Sequence, residues 1–272
     1  MIFRQFFDQI SCTYTYLIAS DKGREALIID PVLEKTDQYI KLLNELELKL
    51  VKVIDTHIHA DHLTAAQFVK RITGAKVVSS KNGDKVQRHF DETFDLHSLE
   101  ESLFDQLVNT GDELVLGNSK IEVMATPGHT QSCLSYIVRN DEQVLVFIGD
   151  TLFMPDVGTA RCDFPGGDCA QLYQSIQNIY ALGDDAVLYL CHDYPPNARL
   201  ASASITVAQQ KKGNIHCANG VSQQQFMAVR NGRDEKLAPP KLLFPSLQVN
   251  IRAGFLPEAD NKGRRFLRIP MG

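Results

Sequence analysis

Thr56-His57-Ile58-His59-Ala60-Asp61-His62 decides how this chain is read. Three imidazoles and a carboxylate fall within six positions, directly after the apolar run Leu50-Val51-Lys52-Val53-Ile54. A short run rich in β-branched residues reads as a buried strand. The cluster therefore stands at a strand's end, where open α/β sheets hold their ligands. His57 and His59, two apart in extended backbone, point to the same side. Asp61 and His62 fall at the turn into a helix expected over residues 63–73, with Gly74 as its C-cap. A lone histidine reads as an ordinary polar residue; His-x-His-x-Asp-His at this density reads as a metal site.

Outward from that stretch, the same arrangement recurs. Strands are expected at 13–17, 26–32, 76–80, 111–116, 120–125, 134–138, 144–148 and 186–190, with turns at 20–23, 117–118 and 140–141. Helices are expected at 36–47, 170–182, 202–211 and 222–230, and 82–109 reads as irregular with at least one helix. Pro239, Pro240 and Pro245 are expected to break the chain beyond the last of these helices. Strand ends deliver His57, His129 (in Thr126-Pro127-Gly128-His129-Thr130), Asp150 (after Gly149) and His192 (in Cys191-His192-Asp193-Tyr194). Gly128 and Gly149 are expected to let backbone pass close to a metal without a β-carbon in the way. Asp61 reads as a ligand or as an acceptor that orients an imidazole. A histidine-rich site without clustered cysteines favours an open, catalytic centre over a closed structural one.

The 272 residues suit one domain spanning 1–272, with residues 201–272 as a C-terminal extension packed on it. A net charge of −5 argues against nucleic-acid or anionic-membrane partners. No stretch has the apolar length of a membrane-spanning helix. The start, Met1 to Phe7, has neither signal- nor transit-peptide character. Six scattered cysteines without a C-x-x-C pair read as reduced thiols, so a cytoplasmic setting is expected.

The ordered set T-H-I-H-A-D-H, T-P-G-H-T, G-D-T-L-F and C-H-D-Y resembles the metallo-β-lactamase superfamily, within it the glyoxalase II and persulfide dioxygenase branch. The resemblance covers about residues 14–252. It implies an α/β fold, an αββα sandwich of two mixed sheets with helices outside, here with a short C-terminal helical extension. It fills all seven ligand positions of the superfamily: His57, His59, Asp61, His62, His129, Asp150 and His192. Arg161-Cys162-Asp163-Phe164 resembles the dioxygenase R-T-D-F segment, and the tail from Pro245 to Gly254 resembles one ending N-x-R-x-G. Cys162 departs from the usual threonine, and Met154 to Ala160 departs from the common G-C-G loop.

The resemblance implies a persulfide dioxygenase that uses one Fe(II) per chain and O2 to oxidise glutathione persulfide, or a related small persulfide, to sulfite and thiol in sulfide detoxification. His57, His129 and Asp150 are then the iron ligands, a facial triad with open positions. His59, Asp61, His62 and His192 surround them as hydrogen-bonding partners or as ligands of a second metal, with Asp61 and His62 also catalytic candidates. Tyr194 is a candidate donor to substrate. Arg161 and Arg252 are candidate partners of a glutathione carboxylate, and a homodimer is implied. The alternatives are a binuclear glyoxalase II-type hydrolase with two zinc ions and S-acylglutathione as substrate, and a non-catalytic metal binder. Cys162 reads as a bystander thiol or a reactive one, Cys191 as core packing, and His89, His97 and His216 as ordinary polar or surface residues.

Overall fold

The structure, a computed structural model, describes residues 1–20, 24–96, 103–140 and 143–271. Residues 21–23 and 141 of the expected turns, and His97, lie outside the described residues.

The first sheet holds β1 (Ile2–Asp8), β2 (Thr13–Ala19), β3 (Glu25–Ile29), β4 (Lys49–Ile54), β5 (Lys76–Ser80) and β6 (Gln106–Val108), in that order. β1 to β3 pair antiparallel and β3 to β6 parallel. The second sheet orders β12 (Ser204–Thr206), β11 (Val187–Tyr189), β10 (Val144–Phe147), β9 (Leu134–Arg139), β8 (Ser119–Ala125) and β7 (Glu113–Leu116). Every residue of β2 is buried, because one face meets the other sheet and its reverse meets helices. Tyr16, Ile18, Leu27, Ile29 and Ile54 pack inward on Leu114, Ile121, Tyr136, Val138 and Phe147. The alternate residues Leu17, Ile28 and Val53 pack outward under α1 (Thr36–Glu45) and α2 (Ala66–Thr73). Over the second sheet, Ile137, Val146 and Leu188 lie under α4 (Cys169–Tyr180) and α6 (Gln223–Asp234). The period-two burial thus builds the αββα sandwich expected.

Several local expectations are corrected. Residues 82–109 hold the expected helix, α3 (Gly83–Phe94), but also the unexpected strand β6, and Ile2–Asp8, given no element by its sequence, is an edge strand beside β2. Residues 202–211 are not one helix: Ser204–Thr206 joins the second sheet, and α5 (Val207–Gly213) comes at once after it. Thr206 makes that switch, because its extended backbone ends the strand and its side chain caps α5 in a reciprocal box with Gln209. Pro245 does not break the tail but lies in the first turn of α7 (Leu243–Asn250), where a proline N–H is not needed. β3 stops at Ile29, and Asp30 turns the chain out of the strand with φ 51°. Gly74 caps α2 at φ 74°, as expected.

Candidate metal centre

All seven expected ligand residues gather in the loops that leave β4, β8, β10 and β11 at their C-terminal ends. Backbone hydrogen bonds from Tyr14 to Cys191 (2.7 Å) and from Leu134 to Thr56 (2.9 Å) join the sheets beside them. The ring of His57 lies 4.1 Å from that of His59 and 5.2 Å from that of His129. Asp150 stands between two groups. Its Oδ2 faces His129 Nε2 (3.7 Å) and His57 Nε2 (3.9 Å), and its Oδ1 faces His192 Nε2 (3.4 Å). Beyond it, Asp61 Oδ2 lies 3.6 Å from His192 Nε2, and Asp61 Oδ1 lies 4.0 Å from His59 Nδ1.

The ring nitrogens turned away from this cluster are held by acceptors. His129 Nδ1 donates to the Arg161 carbonyl at 2.7 Å. Thr56 Oγ1 gives its hydrogen to Asp30 Oδ2 (2.9 Å) and so accepts from His57 Nδ1 (3.1 Å). His59 Nε2 donates to Asp30 Oδ1 (3.0 Å), and His62 Nδ1 to Asp61 Oδ2 (3.1 Å). A ring that donates from one nitrogen presents a lone pair on the other, the state a metal requires. Three atoms aimed inward, His59 Nδ1, His62 Nε2 and Asp150 Oδ1, are buried without a hydrogen-bond partner among the described residues. Orphaned acceptors of this kind beside carboxylates are the donor set of a divalent cation. The residues present fit a metal.

Electrostatics agree. Burial first, then His59 and His129, holds His57 well below the usual imidazole range, so it is neutral. Burial opposes charge on Asp61, yet His192 and His62 outweigh it and hold its carboxyl well below the usual range. His59 departs: burial opposes its charge, but Asp30 outweighs burial and pushes it up to about 9. Without metal, a proton on His59 neutralises the buried Asp30.

Sequence patterns do not point to Asp30, and they mark Asn250 only as the first residue of N-x-R-x-G without a role, yet both hold the site. Asp30 accepts from Thr56 N (2.6 Å), Thr56 Oγ1 and His59. Asn250, at the end of α7, donates from Nδ2 to the carbonyls of His59 (2.8 Å) and His62 (2.7 Å) and accepts from Thr64 N (3.0 Å). One side chain from the tail thus closes the histidine loop.

The glycine expectation is also corrected. A β-carbon on Gly128 would lie 2.3 Å from Leu172 Cα, and one on Gly149 2.9 Å from the Thr56 side chain. Their small size serves the packing of α4 and of Thr56. His216 is buried, not on the surface; its Nδ1 accepts from Thr159 N (3.1 Å). His89 lies on α3, away from the cluster. Arg161 binds Asp163 through two nitrogens (both 2.6 Å) and donates to the Ala238 carbonyl (2.8 Å). Arg252 is half-buried, and its Nε has no partner among the described residues. Tyr194 is exposed and stacks on His192, with ring centroids 5.6 Å apart. Cys191 is buried, as expected, beside Asp30. Cys162 is buried too, with its thiol pushed up by burial first and then by Cys169. Beside His129, a cleft is walled by Ile58, Val86, Phe90, Phe164 and Leu247.

The sequence profile described as the metallo-beta-lactamase superfamily matches residues 13–192. A probable metallo-hydrolase of Burkholderia pseudomallei is 40% identical over 286 residues, covering 98% of this chain and 97% of that one. The mitochondrial persulfide dioxygenase ETHE1 of Mus musculus is 34% identical over 257 residues, covering 93% and 89%. The crystal structure of ETHE1 from Myxococcus xanthus superposes with a TM-score of 0.79 at 36% identity, over 94% of this chain and 100% of that one.

Proposed function

Because the chain belongs to the metallo-β-lactamase superfamily, we propose that it is a mononuclear iron persulfide dioxygenase. Its substrates are O2 and glutathione persulfide or a similar low-molecular-weight persulfide, and its products sulfite and the thiol. The observation that carries this reading is the buried set His57, His129 and Asp150, whose ligand atoms lie within 4.8 Å of one another. The 34% identity to a persulfide dioxygenase supports it. Two imidazoles and a carboxylate suit non-haem Fe(II), which when bound supplies the redox chemistry toward O2.

The protein's own groups bind and orient. Arg161 and Thr56 hold the rings of His129 and His57, while Phe164 packs edge-on against His129 at 5.3 Å and keeps water from that side. Tyr194, exposed and stacked on His192, offers its phenol as a hydrogen-bond donor toward the substrate sulfur. Arg252 retains donor capacity for a substrate carboxylate, whereas Arg161 would have to exchange its bond with Asp163. A reducing, cytoplasmic setting suits six unpaired thiols.

A second reading, a binuclear zinc hydrolase of S-acylglutathione, is favoured by the orphaned His62 Nε2 and by Asp150 Oδ1 facing His192. Metal analysis of anaerobically purified protein, with oxygen uptake on glutathione persulfide and hydrolysis of S-lactoylglutathione, decides between them. The dioxygenase holds one iron per chain, consumes oxygen, and keeps its metal in His62→Ala. Two zinc ions per chain, one lost in His62→Ala, together with thioester hydrolysis, would replace it with the hydrolase.

A further inference from the structure

His192, like His57 and unlike His59, His62 and His129, has its outer nitrogen held by a hydroxyl. Among the described residues neither carboxylate nor carbonyl meets its Nδ1; the contact is Thr13 Oγ1, at 3.3 Å. Thr13 opens β2, is fully buried, and bridges backbone to backbone with His192. Its Oγ1 also lies 3.4 Å from His62 Nδ1 and 2.7 Å from Ser11 Oγ. Ser11 in turn contacts Asp8 Oδ2 through both Oγ and N, each at 2.8 Å. Asp8, the last residue of β1, is buried and faces Lys35 Nζ at 3.4 Å.

The direction of these bonds is set by the number of hydrogens. An ionised carboxylate only accepts, so the single hydroxyl hydrogen of Ser11 goes to Asp8. At the 2.7 Å contact Ser11 must then accept, and the single hydroxyl hydrogen of Thr13 goes to Ser11. Asp61 Oδ2 also lies near Thr13 Oγ1, at 3.4 Å. Were the Thr13 hydrogen spent there, two hydroxyl oxygens would face each other at 2.7 Å with none between them. Thr13 Oγ1 is left with two lone pairs, and the imidazoles beside it are those of His62 and His192.

The geometry points to Asp8, Ser11 and Thr13 as a one-way hydrogen-bond chain that fixes His192, and with Asp61 also His62, as Nδ1–H tautomers. Their Nε2 lone pairs are thereby presented to the cluster. Thr13 is a positioning residue, acting on the centre only through these two rings. Its effect on His192 is the larger, because Asp150 and Asp61, 3.4 and 3.6 Å from Nε2, attract a proton to that nitrogen. Without the Thr13 acceptor, His192 turns to the Nε2–H form and the lone pair it presents to the cluster is lost. This role of Thr13 rests on the centre being a metal site, and holds for one metal or two.

The tautomer can be read directly in metal-free protein, by long-range proton–nitrogen NMR of 15N-histidine-labelled chains at mildly alkaline pH. His192 is expected as Nδ1–H in the wild type, as Nε2–H in Thr13→Val, and again as Nδ1–H in Thr13→Ser. Chelator competition should show metal affinity down about 10–100-fold in Thr13→Val and restored in Thr13→Ser. Nε2–H on His192 in the wild type, or an unchanged tautomer in folded Thr13→Val, overturns the chain. Neither measurement involves substrate, so a hydrolase in place of a dioxygenase leaves the result standing, and a failed tautomer leaves the activity assays unaffected. Should Thr13→Val not fold, the wild-type spectrum alone decides.

Discussion

At the scale of single residues, Asp30 is the most instructive. It ends a strand just as the expected ligands do, yet its run continues into Pro31 and Val32, which hides the boundary. With φ 51° it occupies a conformation that asparagine also tolerates, so Asp30→Asn should fold. The amide has one acceptor where the carboxylate had two, and it opposes the donors of Thr56 and His59 with a donor of its own. Metal affinity should fall about 10–100-fold by chelator competition; affinity equal to wild type would remove Asp30 from the centre. His216 is illegible for another reason: its burial comes from the loop at Gly158 and Thr159, which is remote in sequence. Burial first, then Arg230 and Arg233, depresses it from 6.5 to about 4. A histidine depressed by folding leaves stability unchanged above its unfolded pKa and costs stability as pH falls from there toward its folded value. Between pH 7 and 4 that loss is about 3 kcal/mol. His216→Gln should show a correspondingly shallower decline of urea stability over the same interval.

At the scale of elements, periodicity makes most of the sandwich legible, because strands buried on both faces and helices on one leave local signatures. What it conceals are switches set by a single side chain, as at Thr206, and contacts between distant segments. The tail reads as a helical extension, and nothing local to Asn250 says that α7 lies against the histidine loop 188 residues away. In Asn250→Ala two carbonyls and the Thr64 N–H lose their partner, at about 1–3 kcal/mol for each group left buried and unsatisfied. Urea denaturation should register that loss, and metal dissociation should quicken because His59 and His62 are no longer tethered. A variant with wild-type stability and wild-type dissociation would show that α7 is only a cover.

At the scale of the whole molecule, the centre lies across a seam. His57, His59, Asp61 and His62 come after strands of the first sheet, and His129, Asp150 and His192 after strands of the second. A metal shared by them ties the sheets together, so chelation should lower the melting temperature. At free metal one hundredfold above Kd the bound state gains about 2.7 kcal/mol, roughly 5 °C for a chain of this size. An unchanged melting curve after complete metal removal would mean that the seam is held by backbone and core alone. The Asn250 clamp has a further consequence, in the order of synthesis. A nascent chain has all seven candidate ligands once His192 leaves the ribosome, but the residue that fastens the histidine loop is made 58 positions later. Metal captured before then rests in an unfastened loop, so secure loading of the centre certifies that translation has passed Asn250.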